Sequence, residues 1–209
     1  MDTSFYKDVN HFAIHTAWLH GFMKLYATDG VGIFAVLVLA GWWLARYRPD
    51  APRAVAASGW AAIGTVVAVG LNQPLVSAVH RARPYSVLPH VEVLVSRSHD
   101  YSFPSDHSVT AGAVVAGLWI IAHYGTKATR WLAAAGTILA LLLAFSRVYV
   151  GAHYPGDVTA GLLYGAAISV AGWLLLRRAL SYLANRAAQI SPVRPLIIAT
   201  QPAHRTRAA

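Results

Sequence analysis

Long apolar segments alternate with short polar connections along most of the chain. A helix needs about 20 apolar residues to cross the hydrocarbon core of a bilayer, because each residue adds only about 1.5 Å of length. Five segments approach or exceed that length, at residues 31–45, 54–79, 109–123, 131–150 and 158–176. The pattern therefore predicts an all-α protein whose helices cross a membrane as one bundle, over residues 30–180.

Polar residues interrupt the end of the second segment. Gly70, Asn72 and Gln73 precede Pro74 there. Proline breaks the helical hydrogen-bond ladder, and polar groups in a membrane must be satisfied by protein. We therefore expect the last turns of this helix to be kinked or shielded from lipid.

The chain before the first apolar segment has a different pattern. Apolar residues recur at helical spacing between residues 11 and 26, with His15, His20 and Lys24 among them. This pattern predicts an amphipathic helix in the membrane interface, within an N-terminal region of residues 1–29. A sixth membrane span is the alternative, so the bundle has five or six spans. Residues 181–209 are predicted to form a polar tail.

The composition also places the protein in a membrane. Of 209 residues, 56% are hydrophobic and 12% charged, and the mean hydropathy of +0.47 excludes an ordinary soluble domain. A net charge of +9 would suggest a nucleic-acid partner in a soluble protein. Here the basic residues lie at the ends of apolar segments, so we expect no such partner. The absence of cysteine excludes disulfides and thiolate metal sites.

The basic residues predict the orientation of the bundle. Eleven of the 17 fall on one side of a five-span arrangement: Arg46, Arg48, Arg53, Lys127, Arg130, Arg177, Arg178, Arg186, Arg194, Arg205 and Arg207. Loops rich in lysine and arginine stay in the cytoplasm, so this side and the tail are predicted to face inward. The loop at residues 80–104 and the turn at residues 150–157 then lie outside the cytoplasm.

Three groups of polar residues fall on this predicted outer side, each beside the end of a span. The first contains Arg81 and Arg83, directly after the second span. Two guanidinium groups can bind a phosphate through fork-shaped pairs of donors. A juxtamembrane pair that holds lipid headgroups is the alternative interpretation.

The second group contains Ser105, Asp106 and His107, at the start of the third span. Ser105 is typical of a helix N-cap, which would point the amides of Asp106 and His107 toward a bound anion. His107 could then protonate a leaving oxygen. A simple cap beside an interfacial histidine is the alternative.

The third group joins the fourth and fifth spans and contains Arg147, His153 and Asp157. An arginine near a membrane-buried helix end needs an anionic partner, so Arg147 is a functional candidate. If Pro155 begins a helix, the Asp157 carboxylate can reach one imidazole nitrogen of His153 and leave the other as a nucleophile. A structural pair at a turn is the alternative.

Taken together, the three groups resemble the signature motifs of the type-two phosphatidic acid phosphatase superfamily, which also includes the vanadium haloperoxidases. The family patterns Lys-x6-Arg-Pro, Pro-Ser-x-His and Ser-Arg-x5-His-x3-Asp fall on Arg83-Pro84, Pro104-Ser105-Asp106-His107 and Ser146-Arg147 with His153 and Asp157. The resemblance covers about residues 31–178. One position departs from the family, because Val76 stands where the lysine is expected and cannot bind phosphate. Arg81 is the candidate to supply that charge from a different place.

The resemblance implies a hydrolase that works through a phosphohistidine. His153 would attack phosphorus, Asp157 would orient it, and His107 would protonate the leaving oxygen. The predicted phosphate-binding residues are Arg83, Arg147, Ser105, Arg81 and Asp106. No metal or cofactor is expected, since eight acidic residues make a carboxylate metal cage hard to build.

Within the superfamily, Asp106, the short chain and the missing lysine are most similar to the bacitracin-resistance type of undecaprenyl-diphosphatase. This implies hydrolysis of undecaprenyl diphosphate to undecaprenyl phosphate and phosphate, in recycling of the cell-wall lipid carrier at a bacterial plasma membrane. A phosphatase for lipid monophosphates, such as phosphatidylglycerophosphate or phosphatidate, remains open because it shares all the chemistry. So does a non-enzymatic protein that binds lipid headgroups, whereas the apolar spans argue against a haloperoxidase. The expected partner is the membrane lipid, and a homo-oligomer is left open.

Overall fold

The computed structural model describes residues 1–199, and within this range the chain is all-helical. Its helices are α1 (Asp2–His15), α2 (His20–Asp29), α3 (Val31–Ala45), α4 (Ala51–Val79), α5 (Pro84–Val87), α6 (Asp106–Tyr124), α7 (Lys127–Tyr149), α8 (Pro155–Ala187) and α9 (Arg194–Ile197). A short 3-10 turn at Ala17–Leu19 separates the first two. Residues 200–209, with the tail residues Arg205 and Arg207, lie outside the described range.

Helices α4, α6, α7 and α8 are long and apolar enough to cross a membrane. They coincide with four of the predicted spans. Helix α3 has only 15 residues, too few to span alone, and meets the preceding helical segment at an angle of 58°. This bent pair would complete a fifth span, so the predicted all-α class with its five apolar spans is confirmed in this form.

The N-terminal region contains two helices where the sequence predicts one. α1 ends at His15, and the hydroxyl of the next residue, Thr16, lies 2.7 Å from the hydroxyl of Tyr149 on α7. The chain then turns, and His20 Nε2 is bonded to the carbonyl of Ala13 at 2.8 Å. This long-range contact with α7 ends the helix, although the apolar spacing continues through the break.

The C-terminal region also differs from the predicted polar tail. α8 has 33 residues and continues to Ala187, because leucine and alanine favour the helix beyond its apolar part. The chain then returns to the bundle, where Ala199 donates to the carbonyl of Arg46 at 2.9 Å and Trp42 Nε1 donates to that of Leu196 at 3.0 Å. Residues 181–199 are therefore structured.

Helices α6 and α8 approach each other closely because glycine lies at their contact. A Cβ atom on Gly165 would stand 2.0 Å from the carbonyl oxygen of Val109, and one on Gly112 would stand 2.1 Å from that of Leu162. No side chain fits at either position, so the two backbones are almost in contact. Their first turns consequently lie side by side, and the amide of Ser105 donates to the carbonyl of Asp157 at 3.2 Å.

Candidate active site

The three predicted groups meet at one end of the bundle, around a cavity of about 420 Å³. The predicted site residues that line it are Arg83, Asp106, His107, Arg147 and His153. They come from the loop after α4, the start of α6, the end of α7 and the turn between α7 and α8. Asp157 and Arg81 lie behind this lining, and Ser105 stands in the chain between the lining residues Pro104 and Asp106.

His153 is held in one tautomer. Its side chain is buried, with Nδ1 2.8 Å from the carbonyl oxygen of Ser102 and Nε2 3.1 Å from Nη1 of Arg83. A carbonyl only accepts and a guanidinium only donates, so Nδ1 carries the hydrogen and Nε2 carries a lone pair. The nitrogen with the lone pair is thus the one beside the cavity arginine.

Asp157 supports His153 less directly than the sequence predicts. Pro155 does begin α8, but Oδ2 of Asp157 lies 3.7 Å from Nδ1 of His153, beyond hydrogen-bond range. That oxygen accepts instead from Oγ of Ser102 at 2.5 Å and from the amide of Tyr154 at 2.9 Å. Ser102, rather than Asp157, therefore orients the imidazole, and Asp157 holds Ser102.

Ser102 was not found from the sequence. Its contact with His153 uses a backbone carbonyl, which every residue carries, so no motif could mark it. Its hydroxyl bond to Asp157 joins positions 55 residues apart. The role of Ser102 depends on the conformation of the loop before Pro104, which brings this residue between His153 and Asp157.

The environment of His153 favours its neutral form. Burial lowers the pKa of His153 to about 4, with Asp157 acting in the opposite direction and Arg147 and Arg83 adding to the lowering. The imidazole is therefore uncharged at neutral pH, as a nucleophilic nitrogen must be.

Two buried arginines bring positive charge to the cavity. Arg83 donates to the carbonyl of Ala152 at 3.1 Å, and its Nη2 lies 2.9 Å from the carboxylate of Asp100. Arg147 donates through Nη1 to the carbonyl of Ala27 at 2.9 Å, whereas its Nε is buried and has no partner within residues 1–199. The charge of Arg83 is thus offset by Asp100, whereas Arg147 has no carboxylate partner in the described part of the chain.

The start of α6 forms another wall. Oδ1 of Asp106 accepts from Nδ2 of Asn72 at 2.7 Å and from Nε2 of Gln73 at 3.1 Å, which accounts for the polar residues near the end of α4. Ser105 occupies the N-cap position but makes no side-chain cap bond. Its hydroxyl is buried and has no partner in the described part of the chain.

Arg81 lies apart from the cavity, in contrast to its predicted role as a phosphate ligand. Its Nη1 donates to Oδ1 of Asp157 at 2.6 Å, and its Nη2 donates to Asp2 at the start of α1. Both ends of the guanidinium are thus bound to carboxylates behind His153. Val76, where the resemblance places a lysine, does line the cavity, so Arg81 does not restore a charge there.

The chain is similar in sequence to known proteins. The PAP2 superfamily model matches residues 57–181. The chain is 34% identical over 132 residues to the bacitracin transport permease protein BcrC of Bacillus licheniformis, covering 63% of this chain and 60% of that one. It is 27% identical over 177 residues to the undecaprenyl-diphosphatase BcrC of Bacillus subtilis, covering 85% and 83%.

A solved structure has the same fold at lower sequence similarity. The transmembrane PAP2 type phosphatidylglycerolphosphate phosphatase from Bacillus subtilis superposes with a TM-score of 0.60 at 21% identity, over 87% of this chain and 86% of that chain. This similarity shows that the helices of the two proteins follow the same path.

Proposed function

Since the chain belongs to the PAP2 superfamily, we propose that it is a membrane phosphatase that transfers a phosphoryl group from a lipid to Nε2 of His153 and then to water. The observation that carries the proposal is the fixed tautomer of His153. The Ser102 carbonyl holds the hydrogen on Nδ1, which leaves the Nε2 lone pair beside the two cavity arginines.

In the first step the Nε2 lone pair attacks phosphorus while the bond to the leaving oxygen breaks on the opposite side. Phosphoryl transfer depends mainly on such positioning and on stabilising the charge of the three equatorial oxygens. Arg83 and Arg147 supply that charge. Arg83 exchanges its contact with Nε2 for a contact with a phosphate oxygen.

The start of α6 completes the anion site in this mechanism. The amides of Asp106 and His107 and the hydroxyl of Ser105 are the further donors to the phosphate oxygens. Asp106 keeps its carboxylate on Asn72 and Gln73 and therefore contributes its backbone amide. We leave Arg81 out of this set, because both ends of its guanidinium are engaged by Asp157 and Asp2.

His107 protonates the departing oxygen, so the lipid leaves with a proton. Water then gives a proton to the now neutral His107 and attacks phosphorus, the N–P bond breaks, and inorganic phosphate leaves with Nε2 free and His107 protonated again. His107 lines the same cavity as His153, so both histidines reach one substrate. No step in this sequence calls for a metal.

The substrate we propose is undecaprenyl diphosphate, which would yield undecaprenyl phosphate and phosphate. The similarity to two BcrC proteins, one of them called an undecaprenyl-diphosphatase, supports this choice. A lipid monophosphate is the second candidate, favoured by 31% identity over 100 residues to the phosphatidylglycerophosphatase B of Bacillus subtilis.

The proposed location is a bacterial plasma membrane, with the cavity outside the cytoplasm. The distribution of basic residues supports this orientation: Arg46, Arg48, Arg53, Lys127 and Arg130 lie at the opposite end of the spans from the cavity. A substrate diphosphate would then be cleaved on the outer side of the membrane.

Phosphate release from detergent-purified protein tests the proposal. Undecaprenyl diphosphate and phosphatidylglycerophosphate are compared as substrates, in the presence of EDTA, for the wild type and for His153→Ala. The matched control is His99→Ala, because His99 is an exposed histidine in the loop beside the cavity. We expect faster release from the diphosphate, lost only in His153→Ala.

Faster release from the glycerolipid would keep the mechanism and change the substrate. Full activity of His153→Ala on both lipids would contradict the phosphatase mechanism itself.

A further inference from the structure

The first turn of α1 lies against the segments that support His153. Asp2 accepts two hydrogen bonds from partners far away in sequence: Oδ1 accepts from the amide of Gly156 at 2.8 Å, and Oδ2 accepts from Nη2 of Arg81 at 2.5 Å. Gly156 lies in the first turn of α8, and Arg81 lies in the loop after α4. One carboxylate therefore joins three separate parts of the chain.

The contacts continue from Asp2 to the nucleophile. Nη1 of Arg81 donates to Oδ1 of the fully buried Asp157. The other oxygen of Asp157 accepts from the hydroxyl of Ser102, whose carbonyl holds Nδ1 of His153. A series of hydrogen bonds, continued through the covalent structure of Ser102, thus runs from the first turn of α1 to the reacting imidazole.

The guanidinium of Arg81 is fixed from a third direction. It lies 4.1 Å from the ring centroid of Tyr154, a cation–π contact. With a carboxylate at each end and an aromatic ring on one face, Arg81 has little freedom to move. This matters because a phosphate in the neighbouring cavity would attract any arginine able to reach it.

We propose that Asp2 and Arg81 are positioning residues for His153. Asp2 fixes the guanidinium of Arg81, Arg81 holds Asp157, and Asp157 holds Ser102, which orients the imidazole. Neither Asp2 nor Arg81 lines the cavity, so both act through other residues and not on the substrate. This inference rests on the proposed function, because it takes His153 as the reacting group.

The charges explain why the series needs both residues. Asp157 has no exposed side-chain surface, and a buried carboxylate without a cation is strongly unfavourable. Arg81 supplies that cation, and its side chain is 29% exposed. Asp2, which is 32% exposed, occupies the other half of the guanidinium and keeps it facing Asp157.

A double-mutant cycle on the full chain tests the inference. The variants are Asp2→Asn, Arg81→Gln and their combination, and Asp8→Asn is the control, since Asp8 is exposed on the same helix. We expect Arg81→Gln to lower kcat about 100-fold, the size of effect that a 1 Å misplacement produces. For Asp2→Asn we expect kcat to fall about threefold, because this variant removes a partly exposed ion pair whose energy is small.

The dependence between the two positions is the decisive result. Because Asp2 acts through Arg81, Asp2→Asn should have no further effect in the Arg81→Gln background. KM should stay unchanged in every variant, and Asp2→Glu should restore kcat. If Arg81→Gln does not fold, the cycle is run with Arg81→Lys, which keeps the charge but cannot bridge two carboxylates.

Two outcomes would overturn the inference. In the first, Asp2→Asn is as active as Asp8→Asn. In the second, Asp2→Asn lowers kcat by the same factor in the wild type and in the Arg81→Gln background. His153→Ala in the same assay separates this result from the proposed function. An inactive His153→Ala beside a fully active Asp2→Asn would reject the positioning role alone. An active His153→Ala would reject the proposed function.

Discussion

The two sides of the cavity differ in how completely their polar groups are bonded. On the nucleophile side, formed by His153, Asp157 and Ser102, both imidazole nitrogens and both carboxylate oxygens have partners. On the anion side, formed by Arg147, Ser105 and His107, the Nε of Arg147 and the hydroxyl of Ser105 are buried and unpartnered within the described range.

In the proposed mechanism, this difference separates a part that is assembled before the substrate arrives from a part that the substrate would complete. A buried polar atom without a partner costs about 1–3 kcal/mol. A phosphate oxygen in the cavity could relieve that cost, most strongly when charge builds up on the equatorial oxygens. The nucleophile needs the opposite arrangement, because its lone pair must point in one direction throughout.

His107→Ala should show the largest effect, and only on one substrate class. A diphosphate expels a lipid phosphate with a pKa of about 6, judged from phosphate monoesters, whereas a monophosphate expels a far more basic alkoxide. Loss of the general acid should therefore lower turnover of a lipid monophosphate by about 10²–10⁴-fold and spare measurable turnover of the diphosphate. Equal losses in phosphate release from both would contradict this role.

Arg147→Gln removes the main charge of the anion side. We expect kcat to fall by about 10²–10³-fold, as for loss of a donor to a developing oxyanion. The thermal midpoint should stay within a few degrees of the wild type, because the variant also removes a buried charge with an unpartnered nitrogen. Arg97→Gln, at an exposed loop position, is the control for both readings. A normal kcat would remove Arg147 from the site.

Ser105→Ala and Ser102→Ala should have opposite signatures. Ser105 has an unpartnered hydroxyl, so its loss should leave the thermal midpoint unchanged. It should lower kcat/KM by about tenfold, which corresponds to the loss of one hydrogen bond to a charged group. Ser102 holds the buried Asp157, so Ser102→Ala should lower the free energy of unfolding by about 1–3 kcal/mol. Midpoints that fall equally in the two variants would argue against the division into two sides.

The smallest effect concerns stability and pH. In the unfolded chain His153 recovers an ordinary pKa near 6.5, so below that pH the unfolded state takes up a proton that the folded state binds only near pH 4. The wild type should therefore lose about 2 kcal/mol more than His153→Gln between pH 7.5 and pH 5. Thermal melts at the two pH values measure this, and identical losses would contradict a neutral buried His153.

The sequence predicted the elements whose signals are local. Apolar length marked α4, α6, α7 and α8, and the spacing of Arg147, His153 and Asp157 marked the turn that carries His153. The proline and polar residues near the end of α4 also predicted shielding, which Asn72 shows by bonding to Asp106.

The missed features depend on contacts between distant parts of the chain. Asp2 and Gly156 are 154 positions apart, so the place of α1 beside the site could not be read from amphipathic spacing. Arg81 has the charge expected of a phosphate ligand, but its direction is decided by two carboxylates on other segments. The return of residues 188–199 to the bundle likewise rests on one backbone bond to Arg46 and one bond from the Trp42 side chain.

A phosphohistidine on His153 is the central claim, and it can be detected directly. The wild type is mixed with undecaprenyl diphosphate labelled with ³²P at the terminal phosphate, quenched within milliseconds at alkaline pH, where phosphohistidine survives, and mapped by peptide mass spectrometry. We predict label on the peptide that contains His153, and none in His153→Ala. Rapid phosphate release with no labelled protein at any quench time, or label on His107 instead, would contradict the mechanism.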